Sequence, residues 1–127
     1  MDKPKIMVVD DEPQIGQILT RFLAKHNYRV IFFTSGKEAI AYLKNNTIDL
    51  LLTDLQMPDL TGLEIARQVK TLFPALPVIV MSGSASGQAR DEIFSLGADF
   101  ILKPFELTDL LERIDSRQSN LQPGKKP

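Results

Sequence analysis

The chain has 127 residues and a mass of 14.2 kDa, which is the length of one domain that can bury a sizeable core without disulfides. It contains no cysteine, so thiolate metal sites are excluded, and this composition fits a reducing, cytoplasmic compartment. Fifteen basic and sixteen acidic residues give a net charge of -1, which offers no basic stripe for nucleic acid. The apolar runs are too short to span a bilayer.

The first predicted strand and helix meet at an acidic turn. Residues 6–9 form a short apolar run that stops at Asp10 and Asp11, and Pro13 suits the first turn of a helix. The apolar residues of this helix recur on one face, which we expect to be buried: Ile15, Ile18, Leu19, Phe22 and Leu23. Strand one therefore leads into helix one through an acidic turn that carries Asp10, Asp11 and Glu12.

The second strand and helix follow the same plan. Residues 28–33 are rich in β-branched and aromatic side chains and predict strand two. Ser35 with Glu38 three residues later is the pattern of a capping box, in which each side chain accepts a hydrogen bond from the other residue's backbone N–H. Helix two is therefore expected to begin there and to end near Lys44.

The third strand ends in a carboxylate. Residues 50–52 are all leucine, without polar alternation, which is typical of a strand buried on both faces of a parallel sheet. Asp54 closes the strand, Pro58 prevents it from continuing, and Thr61 with Glu64 predicts a capping box at the start of helix three. That helix is expected to bury Leu63, Ala66, Val69 and either Leu72 or Phe73.

The fourth unit has the weakest helix signal. Residues 78–81 predict strand four, which leads into Ser82. Gly87 and several serines lower the helix propensity of the segment that follows, and its apolar face is thin. We expect helix four to be the most mobile element and Gly97 to be its C-cap.

The last unit ends in a polar tail. Residues 99–102 predict strand five, which is followed by Lys103, and an amphipathic helix five is expected to end near Arg117. The apolar face of this helix consists of Leu107, Leu110, Leu111 and Ile114. We take residues 1–118 as one domain and the polar residues 119–127, which contain Pro and Gly, as a flexible tail or the start of a linker.

Five strands that alternate with five helices predict an α/β fold of the doubly wound, flavodoxin-like type, a five-stranded parallel sheet with helices on both faces. Strand order 2-1-3-4-5 is common at this size. In that order the carboxyl ends of strands one, three, four and five adjoin one crevice. The residues at these strand ends are Asp10, Asp11, Asp54, Ser82 and Lys103.

Three carboxylates in one crevice require positive charge, because each pair about 5 Å apart repels by roughly 3 kcal/mol at an effective dielectric of 20. Lys103 supplies one charge and a divalent cation would supply the rest. Oxygen ligands without His or Cys favour Mg²⁺, or Mn²⁺, over zinc, and the Gln56 carbonyl could complete the shell. The central carboxylate, Asp54, is then the candidate nucleophile toward a phosphoryl group, whose oxygens Lys103 and Ser82 could bind.

Four segments taken together resemble the receiver domain of two-component response regulators. They are VDDE at 9–12, TDLQMPDLTG at 53–62, MSGS at 81–84 and FILKPF at 100–105, and the resemblance covers nearly the whole chain. It implies that Asp54 accepts a phosphoryl group from a histidine kinase or a phosphotransfer protein. It also implies that Asp10, Asp11, Asp54 and the backbone carbonyl of Gln56 hold Mg²⁺.

The resemblance further implies how the phosphoryl group is bound and detected. Ser82, Gly83 and Lys103 are expected to bind it, and Ser82 and Phe100 to act as the switch pair. Phe100 lacks a hydroxyl, so its inward state would depend on packing alone. The Lys103-Pro104 bond is expected to be cis. The face formed by helix four, strand five and helix five would then control an output domain, a downstream protein or a phosphorylation-dependent homodimer.

Three other classes of protein use related residue patterns. A haloacid-dehalogenase-type phosphohydrolase has its nucleophile after strand one and a second acid two residues on, where this chain has Gln56 after Asp54. A flavodoxin needs a hydroxyl-rich loop after strand one, where this chain has acids that would repel a phosphate. A pseudo-receiver usually lacks one of the acids or the lysine, whereas this chain has all of them. Three remaining aspartates are expected to serve in turns, namely Asp49, Asp59 and Asp99.

Overall fold

The computed structural model describes residues 3–84 and 87–121, with side chains up to Arg117. Strands and helices alternate along these residues. The strands are β1 (Lys5–Val9), β2 (Arg29–Phe33), β3 (Leu50–Asp54), β4 (Val78–Ser82) and β5 (Asp99–Leu102). The helices are α1 (Pro13–Lys25), α2 (Gly36–Leu43), α3 (Gly62–Leu72), α4 (Gly87–Ser95) and α5 (Leu107–Leu121).

The five strands form one parallel sheet in the order β2-β1-β3-β4-β5, which confirms the predicted fold and strand order. The register places Val9 beside Thr53, and Asp54 beside Met81. Because all strands run in the same direction, their carboxyl ends share one edge of the sheet. The residues expected to form the site therefore meet at that edge.

Alternation of side chains along the strands divides the core into two layers. Leu51 faces the layer formed with α2, α3 and α4, whereas Leu50 and Leu52 face the layer formed with α1 and α5. All residues of β3 and β4 are buried, as expected for central strands covered on both faces. No helix among the described residues is long and apolar enough to cross a lipid bilayer.

The helix caps confirm one predicted capping box and half of the other. At α3 the backbone N–H of Glu64 donates to the Thr61 hydroxyl (3.1 Å) and the Thr61 N–H donates to the Glu64 carboxylate (2.9 Å). At α2 the N–H of Glu38 donates to the Ser35 hydroxyl (3.3 Å), but among the described residues the Glu38 side chain returns no bond. The prediction of a full capping box at α2 was therefore wrong, because Asp59 from another loop occupies that helix end.

Three residues that were considered for the core, Ile18, Leu72 and Phe73, are exposed. Ile18 is 52% exposed because the buried face of α1 is centred on Gly16, Leu19 and Leu23, about 130° around the helix from it. A Cβ atom at Gly16 would overlap the Phe32 ring, so the backbone of α1 packs against β2 there.

The corresponding errors in α3 fall at its end. Leu72 is 60% and Phe73 is 37% exposed, because the last turn extends beyond the buried face that ends at Val69. The most deeply buried large side chain of α3 is Ile65, which was not among the predicted core residues.

The C-terminal ends of α4 and α5 can be compared with the predictions. Gly97 has a positive φ of 81° and its N–H bonds the carbonyl of Phe94 (2.9 Å), which confirms it as the C-cap of α4. Helix α5 runs to Leu121 rather than ending near Arg117, since the chain contains no helix breaker before Pro123. Residues 119–121, predicted as tail, are therefore helical; residues 122–127 lie outside the described part, and the domain limit stays a prediction.

Candidate functional site

The polar residues at the carboxyl edge of the sheet are buried to different degrees. Asp10 follows β1, and Asp54 and Ser82 are the last residues of β3 and β4. These three are 0%, 8% and 2% exposed, while Asp11 is exposed. Lys103 follows β5 and reaches back across the edge. These predicted residues are thus brought together at one edge of the sheet.

The three carboxylates form a compact cluster. Carboxylate oxygens of Asp10, Asp11 and Asp54 lie within 4.8 Å of one another. Asp10 also accepts a hydrogen bond from the backbone N–H of Glu12 (2.9 Å), which fixes its position at the start of α1. Like charges at this spacing repel strongly, so the cluster needs a cation.

Lys103 supplies the positive charge nearest to this cluster in the described structure. Its Nζ lies 3.3 Å from Asp10 Oδ2 and 3.4 Å from Asp54 Oδ1. Burial by itself would lower the pKa of Lys103, but attraction to Asp10 and Asp54 outweighs it and the pKa is raised. The pKa of Asp54 is also raised, mainly by burial and further by Asp10, although Lys103 opposes the shift.

The donor set fits a hard divalent cation. One ammonium group faces three carboxylates, so the described cluster keeps an excess of negative charge. Burial, and the neighbouring Asp10 carboxylate, raise the pKa of Asp54, so its charged form would gain from a further cation. Oxygen donors without His or Cys are those that Mg²⁺ and Mn²⁺ prefer. The residues present therefore fit the predicted metal site.

The backbone around Asp54 is closely fitted to the start of α3. The N–H of Leu55 donates to the carbonyl of Met81 (2.7 Å), and the N–H of Gly62 donates to the carbonyl of Leu55 (2.6 Å). A Cβ atom at Gly62 would lie 2.2 Å from the carbonyl oxygen of Asp54. Only glycine allows this approach, so Gly62 fixes where the strand delivers the Asp54 side chain.

The Ser82 hydroxyl is engaged within its own loop. It donates to the carbonyl of Ser84 (2.6 Å) and accepts from the Ser84 N–H (3.2 Å). Ser82, Gly83 and Lys103 nevertheless all line an open cavity of about 480 Å³ at the carboxylate cluster. The other residues that line this cavity are Asp11, Glu12, Asp54, Gln56 and Ser84. The hydroxyl must exchange its partner before it can bind a ligand there.

Phe100 lies inside the layer formed with α2, α3 and α4 and is 7% exposed. The guanidinium of Arg90 on α4 lies 5.2 Å from the centre of its ring. The carbonyl of Phe100 accepts a hydrogen bond from Arg113 on α5 (3.0 Å). Its ring and backbone therefore contact both helices that flank β5. The Lys103-Pro104 bond is cis, as the resemblance implied.

The aspartates assigned to turns have wider roles. Asp99 pairs with Arg113 and Arg117 of α5 at 3.3 and 3.2 Å. Asp59 bonds the start of α2, which no local pattern in the sequence indicated. Glu12, which lines the cavity, was also not assigned a role from the sequence. A sequence signal for Asp59 would have required knowing that its loop contacts residues 35–37.

The sequence is similar to a known protein family and to curated regulatory proteins. The profile of the response regulator receiver domain matches residues 6–115. The transcriptional regulator NtrC of Salmonella typhimurium is 33% identical over all of this chain, which covers 27% of its length. The regulatory protein VanRc of Enterococcus gallinarum is 37% identical over 93% of the chain, or 51% of its own length. The chain thus spans about a quarter to a half of these curated relatives.

Solved structures agree with this result. The non-phosphorylated HemR receiver domain from Leptospira biflexa has 34% identity and a TM-score of 0.88, and the match covers 95% of this chain and 98% of that one. The response regulator TrrA from Thermotoga maritima, solved in complex with Mg²⁺-BeF, has 25% identity and a TM-score of 0.81 over 92% of this chain and 99% of its own. The chain belongs to the receiver domain family of two-component response regulators.

Proposed function

We propose that this receiver domain accepts a phosphoryl group on Asp54 from a phosphohistidine of a histidine kinase or a phosphotransfer protein. The observation that carries the proposal is the position of the Asp54 carboxylate. It lies at a strand end, 3.4 Å from the Lys103 ammonium and within 4.8 Å of two further carboxylates. Such a site holds a nucleophile and the charges that a phosphoryl oxygen could contact in one cavity.

The transfer exchanges one bond to phosphorus for another. A carboxylate oxygen of Asp54 attacks the phosphorus atom, the P–N bond to the donor histidine breaks, and the electron pair leaves with the imidazole nitrogen. The Asp10 and Asp11 carboxylates, that of Asp54 and the Gln56 carbonyl would hold Mg²⁺, which neutralises charge on the phosphoryl oxygens. The TrrA neighbour, solved with Mg²⁺-BeF, supports this assignment by similarity.

Two side chains would then change partners. Lys103 pairs with Asp10 and Asp54, and after transfer it would pair with a phosphoryl oxygen instead. The Ser82 hydroxyl would leave the carbonyl of Ser84 and, together with the Gly83 backbone, bind another phosphoryl oxygen. Slow hydrolysis of the acyl phosphate would reset the domain, so the chemistry acts on the protein itself.

The output would follow from the β4–α4 loop. Movement of Ser82 changes the space beside Phe100, which contacts Arg90 of α4 and Arg113 of α5. Phosphorylation would thereby bias the face formed by α4, β5 and α5 toward an output domain, a downstream protein or a second copy. A coupling of about 1 to 3 kcal/mol is sufficient for such a switch. The cytoplasmic location inferred from the sequence stays a prediction.

Intact-mass spectrometry after incubation with acetyl phosphate and Mg²⁺ tests the proposal. The chain should gain one labile group of about 80 Da, the mass of HPO₃. Asp54→Asn should gain none, and Asp49→Asn, which changes an aspartate at the opposite end of β3, should behave as the wild type. An Asp54→Asn variant that still acquires the labile group would refute the assignment.

A further inference from the structure

Asp59 makes four hydrogen bonds, three of which leave its own loop. The loop 55–61 joins β3 to α3, and the exposed Asp59 side chain lies in it. One carboxylate oxygen accepts from the N–H of Leu60 (2.8 Å) and of Gly36 (3.1 Å). The other accepts from the Ser35 hydroxyl (2.7 Å) and the Lys37 N–H (3.1 Å). Asp59 therefore caps α2, from 22 to 24 residues away in the sequence.

This contact suits a carboxylate in particular. The first N–H groups of a helix have no partner within the helix, and the N-terminus carries positive partial charge. Hydrogen bonds from the Ser35 hydroxyl and then from the Lys37 and Gly36 N–H groups hold the pKa of Asp59 well below its usual range. The side chain is therefore ionised at neutral pH and keeps its four donors.

The backbone at the start of α2 also packs directly against the loop, because Gly36 has no side chain. A Cβ atom at Gly36 would lie 2.9 Å from the Cβ of Leu60 and 2.8 Å from the Ile65 side chain. The loop is thus held at its two ends by the bonds of Leu55 and Gly62, and in between by Asp59. Within the described residues Gln56 makes no hydrogen bond of its own, so its carbonyl depends on these anchors.

We propose that Asp59 is a positioning residue for the metal site: it holds the loop on α2 and thereby keeps the Gln56 carbonyl beside the three carboxylates. The inference rests on the proposed function, since it assigns that carbonyl to the Mg²⁺ shell. Groups that orient metal ligands typically contribute at least a factor of ten to affinity. Asp59 acts through the loop and touches neither the metal nor the phosphoryl group.

The test is a Mg²⁺ titration of the full chain, followed by amide NMR, for the wild type, Asp59→Asn and Glu38→Gln. Glu38→Gln is the matched control because it removes one negative charge from the same helix end without removing a bond to the loop. We expect the Mg²⁺ dissociation constant of Asp59→Asn to rise about tenfold and that of Glu38→Gln to stay within about twofold. The maximal rate of phosphorylation by acetyl phosphate, measured at saturating Mg²⁺, should remain within about twofold in both variants.

The outcomes separate this inference from the proposed function. A wild type that binds Mg²⁺ and an Asp59→Asn variant with unchanged affinity would overturn the role of Asp59 alone. A fall in the maximal rate at saturating Mg²⁺ would overturn it too, because Asp59 would then affect more than metal affinity. A wild type that binds no Mg²⁺ would overturn the proposed function. If thermal melting shows that Asp59→Asn does not fold, Ser35→Ala removes one donor, and its affinity should fall about threefold; unchanged affinity would overturn the inference.

Discussion

Helices α3 and α4 each follow a strand that ends in a residue of the site, Asp54 and Ser82, but they bury different numbers of residues against the sheet. Helix α3 has a capping box and buries Gly62, Ile65, Ala66 and Val69. Helix α4 buries Ile93 alone. The apolar face of α4 is as thin as the sequence predicted, although its mobility stays a prediction.

The difference gives the site two sides: a closely packed side at Asp54, beside α3, and a loosely packed side at Ser82, before α4. Asp54 is held by close backbone contacts with α3, which suits the proposed role of its carboxylate as a nucleophile. Ser82 leads into α4, and its hydroxyl bonds only its own loop within the described structure. An element with few buried contacts can shift at low free-energy cost, which supports the proposal that the α4 side responds to the state of Asp54.

The largest effect should come from a matched pair of glycines that open the two helices. Gly62→Ala would force a methyl group into the Asp54 backbone, so we expect a loss of about 3 kcal/mol in the free energy of unfolding. Among the described residues outside its own helix backbone, no atom lies within 4 Å of a Cβ at Gly87, so Gly87→Ala should be neutral or stabilise by about 0.5 kcal/mol. Urea denaturation of both variants measures this, and equal losses would contradict the comparison.

The second effect concerns Lys103, whose ammonium group lies beside the Asp10 and Asp54 carboxylates. Lys103→Met leaves the Asp10 and Asp54 carboxylates buried without their partner, so we expect a loss of about 2 kcal/mol in metal-free buffer. Added Mg²⁺ should recover part of this loss because it replaces the missing charge. Thermal melts with and without Mg²⁺ check both results, with the exposed Lys44→Met as control. If Lys103→Met were as stable as Lys44→Met without metal, the Asp10 and Asp54 carboxylates would not need a positive partner, which would contradict the account.

The third prediction removes the cap of α3. Thr61→Ala removes the hydroxyl that accepts from the Glu64 N–H, while the Thr61 backbone N–H can still donate to the Glu64 carboxylate. The loss of this cap should reduce the free energy of unfolding by about 1.5 kcal/mol. Native-state hydrogen exchange should show slower exchange in α3 than in α4 for the wild type, and a smaller difference in the variant. If the amides of α4 were as protected as those of α3 in the wild type, the distinction between the two sides would be wrong.

The smallest effect has the opposite sign. Burial and Asp10 raise the pKa of Asp54, so its charge destabilises the fold at pH values above the folded-state pKa. Asp54→Asn should therefore be more stable than the wild type by about 1 kcal/mol at neutral pH without metal. The advantage should disappear as pH falls below the unfolded-state pKa of about 4, where both states are protonated. Chemical denaturation across pH measures it; a variant less stable than the wild type at neutral pH would contradict the assignment.

The fold and the site cluster could be predicted because they depend on local patterns. Apolar runs that stop at Asp10, at Asp54 and just before Lys103 mark the ends of strands. Parallel strands bring these ends together at one edge of the sheet. The bonds of Asp59 could not be predicted, since they join loops that are distant in sequence. The exposure of Ile18 and Leu72 could not be predicted either, because it depends on which face of α1 packs on the sheet and on how far α3 extends over it.

The most direct test of the central claim is chemical mapping of the phosphorylated residue. Borohydride reduces an acyl phosphate to an alcohol, so treatment after incubation with acetyl phosphate and Mg²⁺ should convert the modified aspartate to homoserine. Peptide mass spectrometry should find homoserine at position 54 and at neither of the neighbouring carboxylates, Asp10 and Asp11, and none when Mg²⁺ is omitted. Homoserine at position 10 or 11, or the same yield at position 54 without the metal, would contradict the account.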